Sequence, residues 1–124
     1  MTLYVREVTM RQLRRECCAV LPLVLKGKWY DMIACGKKLE EYRDESKYWR
    51  VRIGNWWDKM PGLHVVEFRR GYRKDAPKMW FLVGGVFFRF SGYHYTWGES
   101  IYPHYAIALK ERVELWRNAD GGGL

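Results

Sequence analysis

The spacing of apolar positions shifts repeatedly along this chain, and each shift marks the edge of an element. Over residues 9–18, Met10, Leu13 and Cys17 recur at helical spacing behind a capping Thr9, which predicts a short basic helix. Residues 19–25 alternate instead, with Leu21, Leu23 and Leu25 on one side, and Pro22 marks this strand as an edge or a bulge. Trp29, Met32 and Ile33 then fall at i, i+3 and i+4, predicting a helix over 28–35 that Gly36 stops in left-handed backbone. A strand from about Leu39 to Arg43 follows. Trp49, Ile53, Trp56, Trp57 and Met60 form a tryptophan-rich stripe, so 47–60 reads as a helix with that stripe turned inward. Asp44 or Ser46 caps it, Gly54 weakens it by about 1 kcal/mol relative to alanine, and Pro61-Gly62 ends it.

Beyond Gly62 the period falls towards two. Residues 63–70 read as a strand running into the basic stretch Arg69-Arg70-Gly71-Tyr72-Arg73-Lys74. Residues 79–90 are apolar around Gly84-Gly85, which suits a hairpin or one bent strand at a barrel corner. Residues 91–102 read as a loop rich in glycine, tyrosine and tryptophan. Tyr105, Ile107 and Leu109 alternate, with Val113 and Leu115 in the same phase. Glu111 would land on that apolar face, so a bulge or break is expected near Lys110. Residues 118–124, with three consecutive glycines, read as a disordered tail. The pattern predicts an α+β fold: several strands with two or three short helices, suited to a curled mixed sheet closing into a barrel.

Composition narrows the partners more than the fold. A chain of 124 residues, 48% hydrophobic and 17% aromatic, fits one domain with a core that needs no metal or disulfide. Twenty-two Lys and Arg against fourteen Asp and Glu leave a formal charge of +8, which favours polyanions such as nucleic acid. Cys17, Cys18 and Cys35 make no disulfide framework, and His64, His94 and His104 lie far from them, so neither a zinc site nor a cofactor is expected. Without a signal-peptide layout or an apolar run of membrane-spanning length, the chain reads as cytoplasmic.

The densest chemistry lies in Gly36-Lys37-Lys38-Leu39-Glu40-Glu41-Tyr42-Arg43. In a strand Glu41 and Arg43 project the same way, and Lys38, next to the turn at Gly36, leans over that face. A carboxylate between two cations stays ionised and can fix a ligand's geometry. The same spacing also suits a salt-bridged edge strand in which Glu41 and Arg43 pair with each other.

Gly36, Lys38, Glu41 and Arg43 match the Gly-x-Lys-x-x-Glu-x-Arg signature of ASCH domains, and the chain resembles that family of small PUA-like β-barrels. The flanks are similar too: Leu23 to Lys26 and Trp29 to Ile33 look like the family's opening strand and first helix, and Tyr48-Trp49-Arg50 like its next helical element. Trp97-Gly98 and Tyr105 to Leu109 resemble the closing region, so the likeness spans most of residues 19–115. It implies a PUA-like mixed β-barrel over residues 19–117, with 1–18 as an N-terminal extension or short helix. It also implies a cleft for RNA or a nucleoside lined by Lys38, Glu41 and Arg43, with Gly36 allowing the tight turn. Lys38 and Arg43 suit phosphate or base acceptors, and Glu41 an exocyclic amine or ribose hydroxyl.

Two further groups could extend such a surface. Arg69, Arg70, Tyr72, Arg73 and Lys74 interleave cations with an aromatic, as a single-stranded RNA surface or a solvated loop would. Tyr93, His94, Tyr95, Trp97 and Glu99 share a glycine-flanked segment, where Trp97 is either packing or a base platform. Small members of the family include amidohydrolases that deacylate acylated cytidine with a lysine, a threonine and a glutamate. Lys38 matches the lysine, Glu41 stands where the threonine belongs, and Glu99 is a candidate for the glutamate. Other relatives are associated with RNA cleavage, for which Lys38 and Glu41 would be the acid–base pair. The favoured expectation is a binding module for RNA or a modified nucleoside. The competing one is a small hydrolase acting in the same cleft.

Overall fold

Leu21, Leu23 and Leu25, alternate residues of one strand, are all buried, and the sheet is organised around that face. The computed structural model describes residues 4–9, 17–89, 93–94, 99–100 and 103–116, with side chains over 19–89 and 103–114. The elements are β1 (Tyr4–Thr9), β2 (Cys17–Leu25), α1 (Gly27–Ala34), β3 (Glu40–Asp44), α2 (Lys47–Trp57), β4 (Leu63–Arg70) and β5 (Lys78–Arg89). They are followed by β6 (Tyr93–His94), β7 (Glu99–Ser100) and β8 (His104–Trp116).

The strand order is β1-β8-β5-β4-β2, and β3 adds to β8. β8 is long enough to take two neighbours end to end on one side. β3 pairs with Ala108 to His104, and β1 with Glu111 to Trp116. The β1–β8 and β2–β4 pairings are parallel, whereas β4–β5, β5–β8 and β3–β8 are antiparallel. The result is an α+β fold, a curled half-barrel sheet with two helices among the described residues. β6 and β7 form a separate two-stranded pair.

The concave face supplies the main core. Val66 and Phe68 of β4, Met79 and Phe81 of β5, and Ile107 and Leu109 of β8 pack with Tyr30 and Ile33 of α1 and Ile53 and Trp56 of α2. Val65, Leu82 and Val113 are buried as well, although they point to the opposite face. The change of face along β8 comes from a bulge. Val83 pairs with Leu109 but Leu82 with Glu111, so Lys110 is the extra residue, at the predicted place. The shift sends Glu111 and Val113 to the outer face and sets Arg112 opposite Phe81. Gly84 is skipped on the partner strand, so β5 is one bent strand rather than a hairpin.

Thr9 ends a strand and Cys17 and Cys18 begin another, while residues 10–16, on which the expected helix mainly falls, lie outside the described residues. Residues 4–9 pair in parallel with β8. Met60 does not join the inward stripe: α2 closes at Trp57, and Met60 is 41% exposed. Within α2, Ser46 is the cap, its hydroxyl accepting from the Trp49 N–H at 3.2 Å.

Candidate functional site

The signature is shaped first by the end of α1. Gly36 has φ of 82°, in the left-handed region, and its N–H reaches the Ile33 carbonyl while those of Lys37 and Lys38 reach Met32. This tight reversal delivers Lys38 to the head of β3. The Leu109 N–H then bonds the Leu39 carbonyl, and β3 runs along β8 from Glu40 onward.

Alternation places Glu41 and Arg43 on one face, where Arg43 Nη2 donates to Glu41 Oε2 at 2.7 Å. The other oxygen, Oε1, is 3.2 Å from Lys38 Nζ. Lys38 is 1% exposed, and its ammonium also lies 4.6 Å from the Trp29 ring centroid and 5.2 Å from that of Tyr42. A buried ammonium is costly to desolvate, and a carboxylate with two aromatic faces offsets that cost. The guanidinium of Arg43 lies over Trp49 at 4.8 Å, one turn into α2.

Arg43 also bridges the curl of the sheet. Its Nη2 donates to the Val24 carbonyl at 3.2 Å, joining β3 to β2 at the far end of the strand order. A cleft of about 250 Å³ opens at this seam, lined by Val24, Leu25, Lys26, Trp29, Glu41, Tyr42 and Arg43. The structure therefore brings Lys38, Glu41 and Arg43 together, but only Glu41 and Arg43 reach the cleft wall. The ion pairs do not use the whole guanidinium: Arg43 Nε is buried without a hydrogen-bond partner.

Tyr42 is held from the other side of β3. Its hydroxyl donates to Glu40 at 2.8 Å, and Arg89 grips the same carboxylate with two bonds of 3.0 Å. That carboxylate holds the Arg89 guanidinium more firmly protonated than usual. The Tyr42 ring meets buried His104 edge-on. Sequence reasoning missed Tyr42, Trp29 and Lys26 as cleft residues. Tyr42 lies inside the signature, and an aromatic flanking a lysine was the available signal.

The basic loop is anchored beside the cleft. Arg70 makes two bonds of 3.0 Å to Asp31 on α1, which hold that carboxyl below its ordinary value, the hydrogen bond being the leading cause. The Gly71 N–H reaches the Leu25 carbonyl, and Arg70 packs so close over Gly27 that a Cβ there would lie 2.6 Å from it. Arg69 donates to the Arg73 carbonyl. Tyr72 is 87% exposed, and Arg73 pairs with Asp75 at 3.4 Å in solvent. Arg69 and Arg70 thus brace the loop, whereas Tyr72, Arg73 and Lys74 are its exposed part. Trp97 and Tyr95 lie outside the described residues, as do the side chains of Tyr93, His94 and Glu99.

A larger hollow lies along α2, lined by Lys47, Tyr48, Val51, Arg52 and Asn55. It is open and mostly apolar, with no convergence of buried polar groups, so the seam is the better chemical site. No group of three or more metal-ligating side chains occurs among the described residues, and none of their helices is long and apolar enough to cross a membrane. No family model, characterised protein or solved structure matches the chain.

Proposed function

We propose that the chain is a recognition module for single-stranded RNA or a modified nucleoside, a PUA-like barrel of the ASCH type, and that the seam between β2 and β3 receives the base. The observation that carries this reading is Arg43. It lines the cleft with its guanidinium fixed between Glu41 and the Val24 carbonyl, beside the aromatic walls of Trp29 and Tyr42. A guanidinium held in place in this way is set to meet an acceptor on a ligand. The cleft is small for a drug-sized ligand, which suits one base or nucleoside. Trp29 and Tyr42 supply aromatic walls, Lys26 adds a cation, and the formal charge of +8 attracts a polyanion.

Binding is favoured over hydrolysis by the placement of Lys38. Its ammonium is enclosed by Glu41, Trp29 and Tyr42 and does not line the cleft. A general base must lie within hydrogen-bond reach of the proton it takes. Titration of the full chain with a panel of nucleosides and short single-stranded RNAs, followed by tryptophan fluorescence, tests the reading. Saturable binding without turnover is expected, with Arg43→Ala weakening it at least about tenfold, as loss of a charged hydrogen bond does. Turnover of an acylated nucleoside or RNA would reverse the preference, and absence of binding across the panel would remove it.

A further inference from the structure

α2 turns one side into the core and keeps a second apolar surface on its outer side. Ile53 and Trp56 are buried, and Trp49 packs against the same core. Tyr48 and Val51, three residues apart on the outer side, are 59% and 50% exposed. With Lys47, Arg52 and Asn55 they line an open hollow of about 570 Å³. From Lys47 to Asn55 the helix rises about 12 Å, or roughly two turns. The floor of the hollow is held in place from within the fold. The Tyr48 ring meets Trp49 edge-on at 4.8 Å, and its hydroxyl accepts from Arg52 Nη1 at 2.6 Å. Arg52 is fixed in turn through Nη2, which donates to the Pro22 carbonyl at 3.2 Å.

Charge says what this surface fits. α2 carries Lys47, Arg50 and Arg52 and no carboxylate. Glu45 neutralises Arg50 at 2.9 Å. The two oxygens that hold Arg52 are uncharged, and neither Arg52 nor Lys47 has a carboxylate partner among the described residues. An apolar floor between two unneutralised cations is complementary to apolar side chains flanked by carboxylates. We propose that the α2 hollow docks an acidic amphipathic segment of a partner protein. Its apolar side chains, at helical spacing, enter over Tyr48 and Val51, and its Asp or Glu side chains meet Lys47 and Arg52. This surface lies outside the seam and does not depend on the seam being a base site. A second copy of the chain fits it poorly, because a two-fold contact would set the same cations against each other. A base fits it poorly too: Arg52 already lies over the Tyr48 ring at 5.7 Å, and Val51 has no flat face to stack on.

Titration of the full chain with a fluorescent helical peptide of leucine and glutamate, its leucines confined to one face, tests the surface. A scrambled peptide of the same composition and a peptide with lysine in place of glutamate serve as controls. The amphipathic acidic peptide should bind saturably, and neither control should match it. Val51→Asp, which puts a carboxylate on the floor, should weaken binding at least about tenfold, whereas Val51→Leu should keep it. Lys47→Glu should weaken binding less and reduce its dependence on salt. All three changes are at exposed positions, and a thermal melt confirms that each variant is folded. Absence of binding, equal binding of the scrambled peptide, or an unchanged affinity in Val51→Asp would overturn the proposal. Displacement of the peptide by oligouridylate would hand the face to RNA, and a dimer that Val51→Asp dissolves would hand it to a second copy. Either result would overturn the proposal as well.

Discussion

Each oxygen of Glu41 is engaged by a different cation, so this one carboxylate holds Lys38 in the interior and Arg43 across the seam. Its charge therefore matters to the fold before it matters to any ligand. Glu41→Gln leaves a buried ammonium without its counter-charge, and urea unfolding should register a loss of about 3–5 kcal/mol. The matched change Glu45→Gln removes the exposed partner of Arg50 and should be close to neutral. Asp31 offers a test of the loop anchor by pH. The Arg70 hydrogen bonds lower its folded value below the ordinary 3.8, so the stability they add is present above that value and lost as pH falls through the lowered one. Carboxyl-carbon NMR should place the Asp31 midpoint below its ordinary range, and Arg70→Gln should return it there. An unshifted midpoint in the wild-type chain would mean that the loop is not anchored.

At the scale of elements, two glycines behave oppositely. Gly36 ends α1 with φ of 82°, and Gly36→Ala should cost about 1–2 kcal/mol because alanine resists that conformation. Gly54 lies inside α2, where an added Cβ meets nothing nearer than Asp58 Oδ2 at 3.7 Å, so Gly54→Ala should stabilise by about 0.5–1 kcal/mol. Thermal or urea melts of both variants check the signs. Such features are legible in sequence because they are local. The stop at Gly36, the Ser46 cap, the span of β4 and the bulge at Lys110 each follow from neighbours within a few residues. β1 is not legible in this way, since it pairs with β8, from the opposite end of the chain, in a register that begins at Tyr4↔Glu111. The composition of the site divides along the same line. Lys38, Glu41 and Arg43 are within one short segment, but the Val24 carbonyl, Trp29 and the Arg89 brace on Glu40 come from other elements. No local pattern marks Val24, because its contribution is a backbone oxygen at the end of the curl.

For the whole molecule, the proposed function combines the formal charge of +8, which would bring a polyanion near, with the seam, which would receive it. Affinity for single-stranded RNA should fall with salt, with a log–log slope of about −0.7 for each phosphate contacted. Reversing the exposed cations in Arg73→Glu/Lys74→Glu should flatten that slope without unfolding the chain, whereas Arg70 should be spared because it is tied to Asp31. An unchanged slope would remove the loop from the binding surface. The seam itself is tested most directly by amide and indole NMR of the labelled full chain during titration with a short oligouridylate. Saturating shifts at Lys26, Trp29, Tyr42 and Arg43 are the predicted result. No shifts at saturation, or shifts confined to the Tyr48 and Val51 hollow on α2, would contradict the account.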